Sequence, residues 1–230
     1  MPFSAADVKG VLFDVDDTLY DERTFVRSGF GAVARHLQER FGWKAEALVE
    51  EMLQLLAERG RGAIFDEILR RRGQEDPGLV RVLVDVYRGH QPAIQLFPDV
   101  RPVLGELRRR GLRLGLVTDG HQEVQLRKLE ALGLLDLVHV AVRTDTLGRE
   151  FWKPHVKPFA LALEQLGLAP EEALYVGNDV AKDFQGPRQL GMGAVHIERF
   201  VADVGPCPGC LAQWHGRDLY VLVDLLQLQL

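Results

Sequence analysis

The chain has 230 residues, 47% of them hydrophobic and 27% charged. That is the profile of an ordinary globular protein, long enough to bury a sizeable core and to carry one domain or one and a half. A formal net charge of −5 argues against a general nucleic-acid binder, which would carry a basic surface, and no apolar run approaches the roughly 18 residues of a membrane span. The opening MPFSAADVKG lacks the pattern of a secretory leader, and two cysteines do not make a disulfide scaffold. The expectation is a cytoplasmic protein with no nucleic-acid and no membrane partner.

Residues 8–13 read as a short strand entering a polar turn. From Arg23 to about His90 the rhythm becomes helical, with Phe25, Val26, Phe30, Val33, Ala34, Leu37 and Phe41 recurring at three-and-four spacing. Helices are expected over 45–59, 64–72 and 79–88, separated by the glycine-rich breaks RGRG and GQEDPG. Pro92 and Pro98 then mark a linker. After it, helices over 102–110, 121–132, 158–166 and 183–190 alternate with the apolar strands LRLGLVT, LVHVAV, ALYVG and GAVHI. Near-continuous apolar strands alternating with helices predict an α/β fold with a doubly wound parallel sheet, covered on both faces. The first strand belongs to that sheet, so an α/β core of residues 1–20 and 95–230 is interrupted by an all-helical insertion, 21–94.

Ligands of open α/β sheets sit outside the carboxyl ends of the strands. That rule selects Asp14, Asp16 and Asp17 after the first strand, Thr118 and Asp119 after LRLGLV, and Gly177, Asn178 and Asp179 after ALYV. In VLFDVDDTLYD the aspartates crowd together, and like charges so close raise one another's pKa. A cation among them relieves this. Hard carboxylate oxygens at this spacing suit Mg²⁺, which gains further ligands from a substrate phosphate, and a carboxylate can itself attack phosphorus. Lys153 or Lys157, in FWKPHVKPF, would offset the phosphoryl charge.

DVDDTL, LVTDG, KPHVKPF and VGNDVAKDFQGPRQLGM, in that order and each at an expected strand end, resemble the four motifs of the haloacid dehalogenase-like (HAD) hydrolase superfamily. The resemblance runs from Val8 to about Ile197, and the insertion falls where the superfamily carries its C1 type of helical cap. It implies a Rossmann-like core, Mg²⁺ as cofactor and an aspartyl-phosphate intermediate. Asp14 would be the nucleophile. Asp16 would protonate the leaving alcohol and then deprotonate water, and Thr118, Asp119, Gly120 and Lys153 would hold the phosphate. Lys153 fits the family pattern better than Lys157, because Phe159 follows it by six residues. Asp14 and Asp16 would also hold the metal, and Asp17 would brace the loop.

Two departures stand out. The fourth motif reads Gly177-Asn178-Asp179 where Gly-Asp is usual. Asp179 is the preferred metal ligand over Asn178, since an anionic oxygen offsets Mg²⁺ charge better, with Asp183 acting behind the ligands. Asp119 stands where the family often has Asn, placing a negative charge near the phosphate unless the side chain is turned away. The acid at Asp16 is what dehalogenases of the group lack, and the insertion has a single lysine, Lys44, where a phosphonatase needs one for a Schiff base. The expected activity is Mg²⁺-dependent hydrolysis of a small phosphorylated metabolite, by a monomer or a homodimer. Phosphomutase, dehalogenase and non-catalytic binding module are the alternatives.

Other features have plainer readings. Phe25, Phe30 and Phe41 belong in a core. Arg23, Arg27, Arg35 and the run Arg70, Arg71, Arg72 read first as solvated helix surface and second as a site for an anionic substrate. His36, His90, His139 and His196 lack partner spacing and read as structural. PCPGCLAQWH places Cys207, Cys210 and His215 at C-x₂-C-x₄-H spacing. Structural zinc takes four ligands and no second pair lies nearby, so thiols in a surface loop are preferred over a zinc clip or a redox pair.

Overall fold

The computed structural model describes residues 3–201 and 209–229. They divide into two compact units, one formed by the residues up to Asp21 together with those from Gln95 onward, the other by Glu22–Ile94. Among the described residues no helix is long and apolar enough to cross a membrane.

The first unit is built on a parallel sheet of β1 (Gly10–Phe13), β2 (Arg113–Thr118), β3 (Val140–Arg143), β4 (Ala173–Gly177), β5 (Gly193–Ile197) and β6 (Trp214–Gly216). Their spatial order is β3-β2-β1-β4-β5-β6, the doubly wound arrangement. Val11, Leu12 and Phe13 are fully buried, as a strand with neighbours on both edges and cover on both faces must be. The chain runs outward from β1 through β2 to β3, then returns to the other side of β1 with β4. The order therefore reverses between β1 and β4, and Asp14 emerges there, its amide donating to the Val176 carbonyl at 2.8 Å. The turn that follows uses a left-handed backbone at Asp17 (φ 55°), a conformation that aspartate tolerates better than most residues.

One helix bound and one strand differ from the sequence reading, the first for a reason that bears on the site. The helix after β4 starts at Gln185, not at 183, because Asp183 is fully buried and its carboxylate accepts backbone amides of the preceding loop. The surface loop expected before the last helix contains β6, whose three half-exposed residues carry no apolar run to announce them.

The second unit packs helices Glu22–Phe41, Ala45–Arg59, Ile64–Arg70 and Pro77–Gly89 around Phe30, Leu37, Met52, Leu55, Ile68 and Leu83. Each large side chain so buried is worth about 1.5–3 kcal/mol. Phe25 joins Phe30 inside, whereas Phe41 is half-buried and stacks on Trp43 at 4.6 Å. Gly60 and Gly73 take positive φ after their helices, and Asp76 caps the last one through the Gly78 amide. The arginine run is paired inside this unit: Arg70 and Arg71 with Glu67, Arg71 and Arg72 with Glu51. Hydrogen bonds from Arg70 and Arg71 hold the Glu67 carboxyl down to about 2.

Candidate active site

The carboxyl ends of β1, β2 and β4 bring most of the expected residues together within the first unit. Asp14 is buried, and its Oδ1 accepts from Lys153 Nζ at 2.5 Å. Lys153 Nζ also donates to Asp183 Oδ1 at 2.8 Å and to Tyr175 Oη at 3.2 Å. Asp183 Oδ2 in turn accepts the amides of Asn178 at 3.0 Å and Asp179 at 2.8 Å. A Cβ on Gly177 would stand 2.5 Å from that same oxygen, so glycine is what lets the carboxylate tuck beneath the loop. Lys157 lies elsewhere, its ammonium over the Phe151 ring.

The other oxygen of Asp14 faces Thr18. Thr18 Oγ1 lies 3.3 Å from Asp14 Oδ2 and 3.2 Å from Asn178 Oδ1, so Asn178 turns its side-chain oxygen toward the same hydroxyl as Asp14. Asp179 is turned away. Its side chain is 39% exposed, with Oδ1 accepting from the Ala181 amide at 2.9 Å and Oδ2 near Lys182. Among the oxygens described, Asp14 Oδ2 and Asn178 Oδ1 form a hard donor pair of the kind Mg²⁺ takes.

Asp16 stands on the opposite side of the loop in a separate network. Lys128 Nζ donates to both its oxygens, at 2.7 and 2.9 Å, Tyr20 Oη donates to Oδ1 at 2.5 Å, and Gln125 Nε2 to Oδ2 at 3.2 Å. Gln125 also accepts from Thr118 Oγ1 at 3.2 Å and donates to the Asp119 carbonyl, which links the ends of β1 and β2. Gly120 follows with φ 123°, and a Cβ there would meet Gln125 at 2.6 Å. Asp119 Oδ1 accepts from the Thr144 hydroxyl at 2.7 Å and the Lys153 amide at 3.1 Å. Its carboxylate therefore braces the Lys153 segment.

The two networks drive neighbouring acids apart. Burial pushes the Asp14 carboxyl up to about 7, with Asp183 and Asp16 adding to the rise and Lys153 opposing it. At Asp16 burial acts the same way, but the Lys128 charge and the hydrogen bonds from Lys128, Tyr20 and Gln125 overcome it and hold the carboxyl below its ordinary value. Burial also works against charge on Lys153. Asp14 and Asp183 outweigh it and keep the ammonium well above the usual lysine range. Without a bound cation the proton is thus favoured on Asp14 and disfavoured on Asp16, and positive charge brought against Asp14 would favour its ionised form.

Comparison with known proteins places this constellation. A haloacid dehalogenase-like hydrolase model matches residues 8–191. The chain belongs to that family. A glyceraldehyde 3-phosphate phosphatase from Methanopyrus kandleri is 37% identical over 199 residues, 84% of either chain. A phosphoglycolate phosphatase from Escherichia coli O157:H7 is 31% identical, over 83% of this chain and 81% of its own. In structure, a HAD phosphatase from Thermococcus onnurineus superposes with a TM-score of 0.64 at 29% identity, covering 95% of this chain and 98% of that one. With such relatives over most of its length, this HAD hydrolase is a phosphatase.

Several residues of this HAD phosphatase's site do not stand out in the sequence. Gln125 and Lys128 are buried polar residues within the helix Gln122–Leu132, on the face that also buries Val124, Leu129 and Leu132. Two polar side chains three apart in an apolar stripe were a legible signal. Thr18 and Tyr20 carried none beyond proximity to the aspartates, and Tyr175 looked like one more apolar strand residue. Arg199 was invisible to pattern. Its guanidinium pairs with Asp99 at 2.8 Å and donates to the Thr18 carbonyl at 2.7 and 2.9 Å, fixing the loop from below.

Proposed function

We propose that the chain hydrolyses a small phosphorylated metabolite by a Mg²⁺-dependent, two-step transfer through Asp14. The observation that carries this reading is the Asp14 carboxylate at the β1/β4 switch point, held on one oxygen by Lys153 while the other shares the Thr18 hydroxyl with Asn178 Oδ1. In the loaded site the proton that the pair holds would sit on Asp16 and leave Asp14 ionised. In the first step a carboxylate oxygen of Asp14 then bonds to phosphorus, the P–O bond to the alcohol breaks, and Asp16 delivers that proton to the departing oxygen. In the second, Asp16 takes a proton from water, whose oxygen bonds to phosphorus as the acyl-phosphate bond breaks. Inorganic phosphate leaves and Asp14 is restored.

Lys153 neutralises phosphoryl charge and fixes the Asp14 rotamer. Thr118, whose hydroxyl here donates to Gln125, would turn it to a phosphoryl oxygen, and Asp119 keeps Lys153 in place through its amide. Asp14, Asn178 and the main-chain carbonyl of Asp16 would hold Mg²⁺, and Asp183 steadies the Asn178 loop. When bound, the ion supplies positive charge against the phosphoryl group. Asn178 replaces Asp179 as the preferred ligand because its oxygen shares the Thr18 hydroxyl with Asp14, whereas the Asp179 carboxylate faces its own turn. Lys128, Tyr20 and Gln125 orient Asp16. The helical unit, 22–94, would act as the cap that selects the leaving group.

The substrate is a short-chain phosphate ester of the size of glyceraldehyde 3-phosphate, the compound for which the Methanopyrus kandleri relative is named. The test is phosphate release from an aryl phosphate and from a panel of two- to six-carbon phosphate esters, with and without Mg²⁺. Wild type should turn over with Mg²⁺ and Asp14→Asn should not. Equal rates for the two proteins at saturating Mg²⁺ would refute the reading.

A further inference from the structure

On the strands beyond the active site, three ligand-type side chains meet that the phosphatase chemistry does not use. His196 on β5 and His215 on β6 are register partners of a parallel pair, so both leave the same face one strand spacing apart. Their ring centroids are 5.6 Å apart and nearly perpendicular, at 84°. Cys210, in the segment before β6, brings its sulfur beside them, and the ligand atoms of the three lie within 4.8 Å of one another.

The imidazoles are oriented for coordination. His196 Nε2 is 3.0 Å from the Asn178 carbonyl. A carbonyl only accepts, so this nitrogen carries the proton and Nδ1 carries the lone pair. That Nδ1 is buried with no hydrogen-bond partner among the described residues, and Glu198 at 3.6 Å is beyond hydrogen-bond reach. The Nδ1 of His215 is likewise buried without a partner among the described residues. A buried polar atom left unsatisfied costs about 1–3 kcal/mol, and two of them beside one sulfur call for a shared partner.

We propose that His196, Cys210 and His215 supply three ligands of a zinc site whose fourth position is taken by solvent. Imidazole and thiolate together are a donor set that Zn²⁺ favours and Mg²⁺ does not. Tetrahedral zinc needs ligand atoms about 3.3–3.8 Å apart, a contraction that side-chain rotation supplies. The thiol releases its proton to solvent as the thiolate binds. Cys207, three residues earlier in the sequence, lies outside the described residues and is not among the ligands assigned. The site clips β6 and the segment before it onto β5. Through His196 it also rests against the backbone of Asn178, so the metal has a structural and positioning role.

The experiment is zinc quantification by mass spectrometry on chelator-washed, tag-free protein reloaded with Zn²⁺, with Co²⁺ substitution as an optical probe. Wild type should retain about one equivalent, with Cys210→Ser and His196→Gln each below about a tenth. Asp14→Asn should keep its zinc. The cobalt form should show a thiolate-to-metal absorption in the near ultraviolet. If Cys210→Ser fails to fold, that absorption decides the matter on wild type alone. Reloaded wild type holding less than about a tenth of an equivalent overturns the site. So does zinc that Cys210→Ser keeps and Asp14→Asn loses, and so does a cobalt form without the thiolate absorption.

Discussion

Lys128 sets its ammonium against both oxygens of Asp16, at 2.7 and 2.9 Å, from a helix that starts more than a hundred residues away in the chain. The contact favours the ionised form of Asp16, the form that can take a proton. Lys128→Met removes the main opposing charge, so the Asp16 pKa rises and the step that needs Asp16 as a base weakens first at low pH. We expect the acid limb of the kcat profile to move to higher pH and kcat to fall on the order of 10²-fold, the usual scale of acid–base catalysis. A loss of stability with an unmoved acid limb would mean that Lys128 is scaffolding alone.

Asp14 carries a stability signature. Its folded pKa of about 7 exceeds its ordinary value of 3.8, so the folded protein binds the extra proton between those limits. Its contribution is fully present below about pH 4 and is lost as pH rises through 7. In metal-free protein, Asp14→Asn should therefore melt above wild type at pH 8 and level with it near pH 4. Thermal scans in chelator across that range check both the sign and the window.

Asn178 and Asp179 separate cleanly by mutation. Asn178 faces Asp14 across Thr18, whereas Asp179 bonds to its own turn. Asn178→Ala should raise the Mg²⁺ concentration for half-maximal activity by tenfold or more, a loss of roughly 1.4 kcal/mol. Asp179→Asn should leave it within about twofold. Asn178→Asp should restore or tighten it. The reverse ranking, read from Mg²⁺ titrations of turnover, would return the metal to Asp179.

Arg199 supports the site from beneath. Its side chain and that of Asp99 are 5% and 6% exposed, and the pair also fixes the Thr18 carbonyl and the Leu219 amide. Arg199→Met leaves Asp99 buried without its partner, which costs about 3–5 kcal/mol. Urea denaturation should show that loss, together with a reduced kcat as the Thr18 loop relaxes. The double variant Arg199→Met, Asp99→Asn should recover part of the stability.

By itself the sequence determined the elements that short-range physics dictates. Apolar runs bounded by turns gave β1, β2, β4 and β5 nearly to the residue, because strands buried on both faces tolerate few polar side chains. The strand-end rule picked out Asp14, Asp16 and Thr118 because those residues adjoin the runs, and the motif resemblance added Lys153. The tertiary structure decided everything that depends on side-chain direction. Asn178 and Asp179 are neighbours in sequence, and only the fold turns one oxygen inward and the other to its own turn. Lys128 is 112 positions from Asp16 and Arg199 is 181 from Thr18, separations over which no local pattern carries information. His196 read as structural on spacing alone, until strand register set it opposite His215. In each case the deciding quantity is which face of a strand or helix a side chain leaves, and packing against distant segments fixes that.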